Sequence, residues 1–195
     1  MSLRRRRRQG VRWLAVLAMA ALAAFFAVRA GSESYYRMAY PVRYQELVER
    51  CCREFSVEPA LCYAVIRTES SFDPAATSSI GARGLMQLTE DTFDWVKSRL
   101  EPEADTGYDA MYDPEANIRY GAYLLAALEE QFGGERNALC AYHAGWGNAT
   151  AWLADPACSA GGEIRTIPFA DTAAYVEKVL ATRDVYRELY GDALL

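Results

Sequence analysis

The stretch ESSFDPAATSSIGARGLMQLT, residues 69–89, decides the predicted fold because it interrupts an otherwise helical chain. Glu69 ends the apolar run ALCYAVIRT, which predicts a buried helix. Small residues, two glycines and Gln87 follow, and no further helix is predicted before Thr89. A carboxyl group at the end of a buried helix, facing a cleft, is expected to have a raised pKa and to act as a general acid.

The residues after Glu69 are suited to binding a bulky polar molecule. Glycine permits backbone turns that other residues resist, and the amide of Gln87 can both donate and accept hydrogen bonds. Cleavage of a glycan requires a group that protonates the leaving oxygen and polar groups that orient the sugars. The stretch therefore favours a glycan-cleaving site, whereas an isolated Glu-Ser pair at a helix end would indicate only a solvated terminus.

Helical patterns flank this loop on both sides, and no period-2 strand is predicted. The segment VRYQELVERCCREF predicts one amphipathic helix, and a second begins at Pro59 and runs to Glu69. Thr89 is the expected N-cap of a third. The next helix is expected to start at Asp113, its N-cap, and to stop at Gly133. Its predicted buried stripe comprises Ile118, Ala122, Leu125, Leu128 and Phe132.

The C-terminal part is also predicted to be helical. NALCAYHAGWGNATAWL predicts two helices joined by a glycine-bounded turn, and DTAAYVEKVLATRDVYRELYG predicts a long final helix. The residues expected to share one side of that helix are Tyr175, Val179, Tyr186 and Leu189. The fold class is therefore mainly α, with one compact domain over residues 42–195.

A basic and apolar segment precedes this domain. Five arginines at positions 4–8 come before WLAVLAMAALAAFFAV, residues 13–28, which contains no charge. A basic flank followed by an apolar run is typical of an export signal or a signal anchor. We interpret residues 1–30 as an uncleaved transmembrane signal anchor and residues 31–41 as a linker. Cleavage at residues 28–30 is the alternative, which Arg29 disfavours; a buried core helix is disfavoured by the adjacent arginines.

Charge excludes one class of partner. Residues 1–30 contain seven arginines and no acidic residue, so the rest of the chain has 14 basic and 26 acidic side chains, a net charge of −12. Nucleic-acid binding needs a basic surface, so no nucleic acid is expected as a partner.

The five cysteines do not indicate a metal site. They lie at positions 51, 52, 62, 140 and 158, without the paired spacing of a zinc site. Bridges from Cys140 to Cys158, or from Cys51 or Cys52 to Cys62, are conceivable, but Cys62 and Cys140 in apolar helical runs favour small core residues. No metal and no cofactor are expected.

Four sequence blocks together resemble the lytic transglycosylase family, whose soluble-transglycosylase (SLT) domain is lysozyme-like. The first block has the family order Glu-Ser, then Phe-x-Pro-x-Ala-x-Ser-x-x-Gly-Ala-x-Gly-Leu-Met-Gln, and every specified position matches between Glu69 and Gln87. Asn117 with Gly121, Tyr123 and Leu124 matches the middle helix. AYHAGWGN resembles Ala-Tyr-Asn-Ala-Gly, and IPFADTAAYVEKV resembles Ile-Pro-x-x-Glu-Thr-x-x-Tyr-Val. The likeness covers residues 44–190.

The resemblance implies a helical domain like that of goose-type lysozymes and transglycosylases. It also implies cleavage of the β-1,4 bond between N-acetylmuramic acid and N-acetylglucosamine in peptidoglycan. On this resemblance, water would not be used and the product would end in 1,6-anhydromuramic acid. Glu69 would be the acid and then the base, with the substrate's N-acetyl group stabilising charge at C1. Asp73 and Asp91, the nearest carboxylates in sequence, do not match family catalytic positions.

The resemblance also implies substrate-binding residues. Ser78 would lie beside Glu69 and the muramoyl sugar, Met86 and Gln87 would line the cleft, and Tyr142 would place its hydroxyl against Glu69. Tyr175, in the last block, is also assigned to substrate binding. Core packing is the alternative for Met86 and is the preferred interpretation for Leu85.

Two positions depart from the family pattern. His143, the only histidine, replaces the family asparagine; it can still donate and accept hydrogen bonds but titrates near neutral pH. Its alternative role is to cap or pack a turn. Asp171 replaces the family glutamate and either contacts substrate with a shorter reach or acts as the N-cap of the last helix.

Three other functions remain as alternatives. A muramidase of similar fold would use water and would need a positioned water molecule, and usually a second carboxylate. A catalytically weak peptidoglycan-binding component of an envelope complex is favoured only by His143 and Asp171. A structural membrane protein would have no reason to retain the Glu69 stretch.

Overall fold

The computed structural model describes residues 19–191 except residues 30, 32 and 33. Its contacts divide the chain into two units, Met1–Pro41 and Val42–Leu195. In the first unit, residues 19–29 and 34–39 are helical, and the apolar side chains of residues 19–29 are exposed. No helix in the described part of the chain is long and apolar enough to cross a membrane. The arginine cluster and the first half of the predicted anchor lie outside the described residues.

The second unit is mainly helical, as predicted. Its helices are α1 (Gln45–Phe55), α2 (Pro59–Ser70), α3 (Glu90–Leu100), α4 (Pro114–Phe132), α5 (Glu135–Ala144), α6 (Trp146–Ala154) and α7 (Ala170–Tyr190). A 3-10 helix, Tyr108–Tyr112, precedes α4. Helix α2 is central: residues 60–66 are all buried, and α2 packs against α7 and α1, while α4 packs against α1, α3 and α5. The end of the most buried helix therefore carries Glu69.

Capping chemistry sets several helix ends as the sequence predicts. The Thr89 hydroxyl accepts a hydrogen bond from the Thr92 N–H at 3.3 Å, and the Asp113 carboxylate accepts one from the Ala116 N–H at 3.0 Å. Gly133 ends α4 in the left-handed region, at φ 71°. The predicted α4 stripe is buried throughout, which confirms that interpretation.

Two local predictions need correction. Helix α1 begins at Gln45 rather than near residue 42, because Tyr44 has a left-handed backbone (φ 57°). A small antiparallel hairpin, β1 (Ser159–Ala160) and β2 (Glu163–Ile164), was missed. Strands of two residues are too short to display an alternating pattern, although the Gly161-Gly162 pair between them is a typical hairpin signal.

The cysteines are free and buried. Cys62 and Cys140 are fully buried, so their interpretation as core residues is confirmed. The conceivable bridges from Cys51 or Cys52 to Cys62, and from Cys140 to Cys158, are not formed.

Candidate active site

Glu69 lies at the last turn of α2, where the chain turns sharply. Ser71 and Phe72 both have left-handed backbone conformations, with φ values of 52° and 66°. The hydroxyl of Ser70 donates to the Leu85 carbonyl oxygen at 2.8 Å and thereby attaches the helix end to the following loop. The Glu69 carboxyl group is therefore held between a rigid helix and a loop that is bonded to it.

The loop of residues 72–88 is fixed by backbone bonds and by one buried side chain. The Gly84 N–H donates to the Ala76 carbonyl, and residue 83 pairs with residues 77 and 88. The buried Asn117 of α4 accepts from the Met86 N–H at 2.8 Å and donates to the carbonyls of Arg83 and Met111 at 3.0 and 2.8 Å. Small residues are required here because a Cβ on Gly84 would lie 2.0 Å from the Met111 carbonyl oxygen.

The nearest hydrogen-bond partner of Glu69 comes from the other end of the domain. The Tyr175 hydroxyl of α7 donates to Glu69 Oε1 at 2.6 Å. Helix α7 packs along α2, and Tyr175 is itself buried. The contact fixes one carboxyl oxygen and leaves Oε2 as the atom that can hold a transferable proton.

Burial raises the pKa of Glu69 above its ordinary value, and this is the largest effect on it. The hydrogen bond from Tyr175 and the positive charge of Lys178 oppose that rise. Among the described residues, no second carboxylate contributes to this pKa. Asp73 accepts a hydrogen bond from the Ala75 N–H within a turn, and Asp91 lines a groove that Tyr142 also lines.

Tyr142 lies next to this pair, but its hydroxyl is directed elsewhere. It donates to the Met86 carbonyl oxygen at 2.6 Å, so its single proton is not given to Glu69. Burial, followed by the nearby negative charge of Glu69, raises the pKa of Tyr142. The hydrogen bond to the Glu69 carboxyl group therefore comes from Tyr175, and the role of the Tyr142 hydroxyl beside Glu69 stays a prediction.

Three predicted substrate-binding residues take part in the loop itself. Met86 is fully buried rather than lining the cleft, because its side chain packs against Gly121, where a Cβ would lie 2.1 Å from the sulfur. The Ser78 hydroxyl accepts from the Ala82 N–H at 3.0 Å, and no hydrogen bond from it to Glu69 occurs within the described chain. The Gln87 amide nitrogen donates to the carbonyls of Ala76 and Gly84, so its oxygen is the atom available to a ligand.

The two residues that depart from the family pattern lie together. His143 Nδ1 is 3.0 Å from Thr172 Oγ1, and the His143 ring lies 4.4 Å from that of Tyr175. Burial lowers the pKa of His143, and the nearby negative charge of Asp171 opposes this. Asp171 is not the N-cap of α7, which is Phe169; Asp171 lies in the first turn, and its carboxylate accepts from the Thr172 N–H at 2.8 Å.

Sequence reasoning missed an aromatic groove beside Tyr142. A cavity of about 240 Å³ is lined by Asp91, Thr92, Trp95, Leu124, Leu128, Ala141, Tyr142, Gly145 and Trp146. Trp146 is 43% exposed and its ring lies 6.3 Å from that of Trp95. The two tryptophans are 51 positions apart in sequence. The one local indication of the groove is Trp146, an exposed aromatic residue beside a glycine turn.

The arrangement offers one protonatable carboxyl group in a partly buried position, with a tyrosine holding one of its oxygens. Such a group can donate a proton to a leaving oxygen and later accept one. An aromatic and acidic groove beside it can hold a ring that carries hydroxyl groups.

Comparison with known proteins agrees with this chemistry. Residues 46–161 match the family model described as transglycosylase SLT domain. The chain is 33% identical, over 155 residues, to a soluble lytic murein transglycosylase of Salmonella typhimurium, a match that covers 78% of this chain and 24% of the relative. A transglycosylase of Enterobacteria phage PRD1 is 36% identical over 118 residues, or 58% of this chain and 41% of that protein.

Solved structures give the same result. The 70 kDa soluble lytic transglycosylase of Escherichia coli superposes with a TM-score of 0.74 at 31% identity, over 82% of this chain and 26% of that one. The lytic transglycosylase Slt of Pseudomonas aeruginosa, an inactive mutant, gives 0.70 at 32% identity, over 88% and 29%. The chain thus spans about a quarter of the length of the bacterial relatives it matches.

Proposed function

Because the chain belongs to the transglycosylase SLT domain family, we propose that it is a peptidoglycan lytic transglycosylase with Glu69 as its acid and base. The observation that carries the proposal is the carboxyl group of Glu69, whose pKa burial raises and whose Oε1 accepts a hydrogen bond from Tyr175. A glutamic acid with a raised pKa keeps its proton to higher pH than usual, and that proton can go to a glycosidic oxygen.

The reaction needs one carboxyl group used twice. Glu69 donates its proton to the oxygen that links N-acetylmuramic acid to N-acetylglucosamine, and the bond from C1 to that oxygen breaks. The substrate's N-acetyl group stabilises the positive charge at C1. The Glu69 carboxylate then takes the proton from the muramoyl C6 hydroxyl as that oxygen attacks C1, which forms the 1,6-anhydro ring and regenerates the acid.

The surroundings of Glu69 support this route over one with two carboxylates. A two-carboxylate glycosidase places its second group about 5–9.5 Å from the first. A carboxylate so close would raise the pKa of Glu69 further, and none does so among the described residues. Lys178 and Tyr175 instead stabilise the carboxylate that exists after the first proton transfer.

The predicted substrate contacts remain part of the proposal, with altered roles. Ser78 and the Gln87 amide oxygen face the muramoyl sugar, while Met86 acts through its carbonyl, which anchors Tyr142. Asp171 is exposed at the start of α7, where its carboxylate can accept from a sugar or peptide group.

The aromatic groove is the proposed path of the glycan beyond the cleavage point. Its volume of about 240 Å³ is below the roughly 300–1,000 Å³ of pockets that enclose drug-sized ligands, so it suits one sugar ring. Tyr142 lines this groove and also lies next to Glu69, so a strand can continue from one to the other.

Replacement of Trp146 by alanine is expected to raise KM about fivefold with kcat unchanged, because an exposed aromatic surface binds substrate and transition state equally. Trp146→Phe, which keeps a smaller ring, should give a smaller rise. Steady-state release of soluble fragments from peptidoglycan measures both constants. A fall in kcat at constant KM would contradict the proposed subsite.

The rate is expected to fall as pH rises through the pKa of Glu69, since only the protonated acid is active. Because the Tyr175 hydrogen bond and the Lys178 charge lower that pKa, Tyr175→Phe and Lys178→Met should each move this alkaline limb to higher pH. A profile of kcat against pH for the three proteins measures the shift. An alkaline limb that moves to lower pH in either variant would contradict the assignment.

The site of action is proposed to be the cell envelope, outside the cytoplasm. Residues 1–30 are the proposed signal anchor, and the exposed apolar side chains of residues 19–29 are consistent with a lipid environment. The net charge of −12 on the remaining residues is unsuited to nucleic acid, and peptidoglycan strands are the proposed partner.

The direct test of the proposed substrate is digestion of purified peptidoglycan by the full chain. Soluble muropeptides should accumulate with time above a heat-inactivated control. Complete absence of release, while the protein remains folded by circular dichroism, would contradict the proposed activity.

A further inference from the structure

The only histidine of the chain covers the tyrosine that hydrogen-bonds Glu69. The ring centroids of His143 and Tyr175 are 4.4 Å apart, with an interplanar angle of 32°. His143 Nδ1 also lies 3.0 Å from Thr172 Oγ1, one turn earlier on α7. The imidazole therefore contacts two residues of the same helix, Thr172 and Tyr175. It covers the outer side of the Tyr175 ring, which is otherwise buried.

The direction of the Tyr175 ring determines whether its hydroxyl reaches Glu69. The hydroxyl lies at the far end of a rigid ring and meets Glu69 Oε1 at 2.6 Å. A small rotation about the side-chain bonds would move that oxygen out of hydrogen-bond range. The tilted His143 ring packed against Tyr175 opposes such a rotation, whereas an open side would allow it.

We propose that His143 is a positioning residue: its imidazole holds the Tyr175 ring so that the hydroxyl keeps its hydrogen bond to Glu69. The effect on rate rests on the proposed function, in which Glu69 is the acid. His143 acts through Tyr175, and the proposal requires no contact between the imidazole and the glycan.

Both departures from the family pattern belong to this arrangement. Asp171 binds the N–H of Thr172, and Thr172 is the hydrogen-bond partner of His143. Among the described residues, the charged and titratable groups around the imidazole are Asp171 and Tyr175 on α7, Tyr142 beside it on α5, and Glu69 behind Tyr175. A shorter acid at position 171 and a histidine at position 143 therefore act on the same turn of α7.

The test is the titration of Glu69 itself, which needs no turnover. In protein labelled with carbon-13 at glutamate carboxyl groups, the resonance missing from Glu69→Gln identifies Glu69. Since the Tyr175 bond lowers the pKa of Glu69, losing it should raise that pKa. We expect His143→Ala to raise it in the direction of Tyr175→Phe, and the double variant to add nothing to Tyr175→Phe alone.

Two further variants separate the ring from its hydrogen bond and charge. His143→Phe keeps a ring beside Tyr175 but loses the titratable group and the hydrogen bond to Thr172, so the pKa of Glu69 should rise less than in His143→Ala. Thr172→Val removes the hydroxyl that orients the imidazole and should cause a smaller rise in the same direction. Asp184→Glu, an exposed acid at the far end of α7, is the matched control and should change nothing.

Kinetics give a second measurement. His143→Ala should lower kcat about tenfold with KM unchanged, the cost expected when one oriented hydrogen bond is lost. The alkaline limb of its kcat profile should move to higher pH, as in Tyr175→Phe. A merely structural role would lower the amount of folded enzyme without moving the limb.

An unchanged Glu69 titration in His143→Ala would overturn the proposal. A raised KM at constant kcat in the same variant would also overturn it, because it would mean that the imidazole binds the glycan directly. If His143→Ala does not fold, an unchanged titration in Thr172→Val has the same meaning. Absence of any anhydro product would refute the proposed function, while the titrations would still decide the role of His143.

Discussion

Replacement of Glu69 by glutamine is expected to lower kcat by about 10³-fold or more, within the range attributed to general acid–base groups. Glutamine has nearly the same shape, and its amide oxygen can still accept the Tyr175 hydrogen bond, but it has no proton to donate at the leaving oxygen. Release of soluble muropeptides by the variant and by the unaltered protein measures the effect. Substantial cleavage by Glu69→Gln would show that another group is the acid.

The stability of the same variant provides the control. The pKa of Glu69 is raised in the folded protein. At pH values between the ordinary pKa of glutamate and this raised pKa, the folded protein therefore binds more protons than the unfolded protein. The contribution of Glu69 to stability is therefore present at low pH and is lost as pH rises through that window. Glu69→Gln should remove this decline, so its melting temperature above the window should equal or exceed that of the unaltered protein.

Replacement of Asn117 by alanine is expected to lower the free energy of unfolding by about 3 kcal/mol and to abolish most activity. Asn117 is fully buried and makes three hydrogen bonds to the loop and its support. Its loss removes the partner of the Met86 N–H and of the Met111 carbonyl, whereas the Arg83 carbonyl still accepts from the Leu88 N–H. Each buried unsatisfied group costs about 1–3 kcal/mol. Because Met86 also anchors Tyr142, the loop and the cleft should move together.

Asn148→Ala is the matched control for this change. Asn148 lies on α6, is half-buried and makes a single hydrogen bond, to the Ala144 carbonyl. Its replacement should cost about 1 kcal/mol or less. Urea denaturation of the two variants gives both free energies; equal losses would contradict the assigned role of Asn117.

The parts of the fold that depend on local chemistry were predictable. The caps at Thr89 and Asp113, the stop at Gly133 and the stripe of α4 follow from short-range preferences, and the structure confirms them. Glu69 could be selected because it begins the motif that runs to Gln87, whereas a carboxylate at a helix end alone would indicate only a solvated terminus. These features require only neighbouring residues in sequence.

The parts that depend on packing between distant helices were not predictable. Tyr175 and Glu69 are 106 residues apart, and nothing local indicates that Tyr175, rather than Tyr142, directs its hydroxyl to the carboxylate. Burial of Met86, in the loop, depends on the absence of a side chain at Gly121, on α4. The cavity between Trp95 and Trp146 is lined by residues of α3, α4, α5 and α6, and the periodicity within one helix does not indicate such an arrangement.

The central claim is that cleavage proceeds without water, and product analysis tests it most directly. Peptidoglycan should be digested in water enriched in oxygen-18 and the muropeptides examined by mass spectrometry. The mechanism predicts products that end in 1,6-anhydromuramic acid, lighter by one water than hydrated ends and free of oxygen-18. New reducing N-acetylmuramic acid ends, above those in an undigested control kept in the same water, would contradict it and would identify the protein as a hydrolytic muramidase.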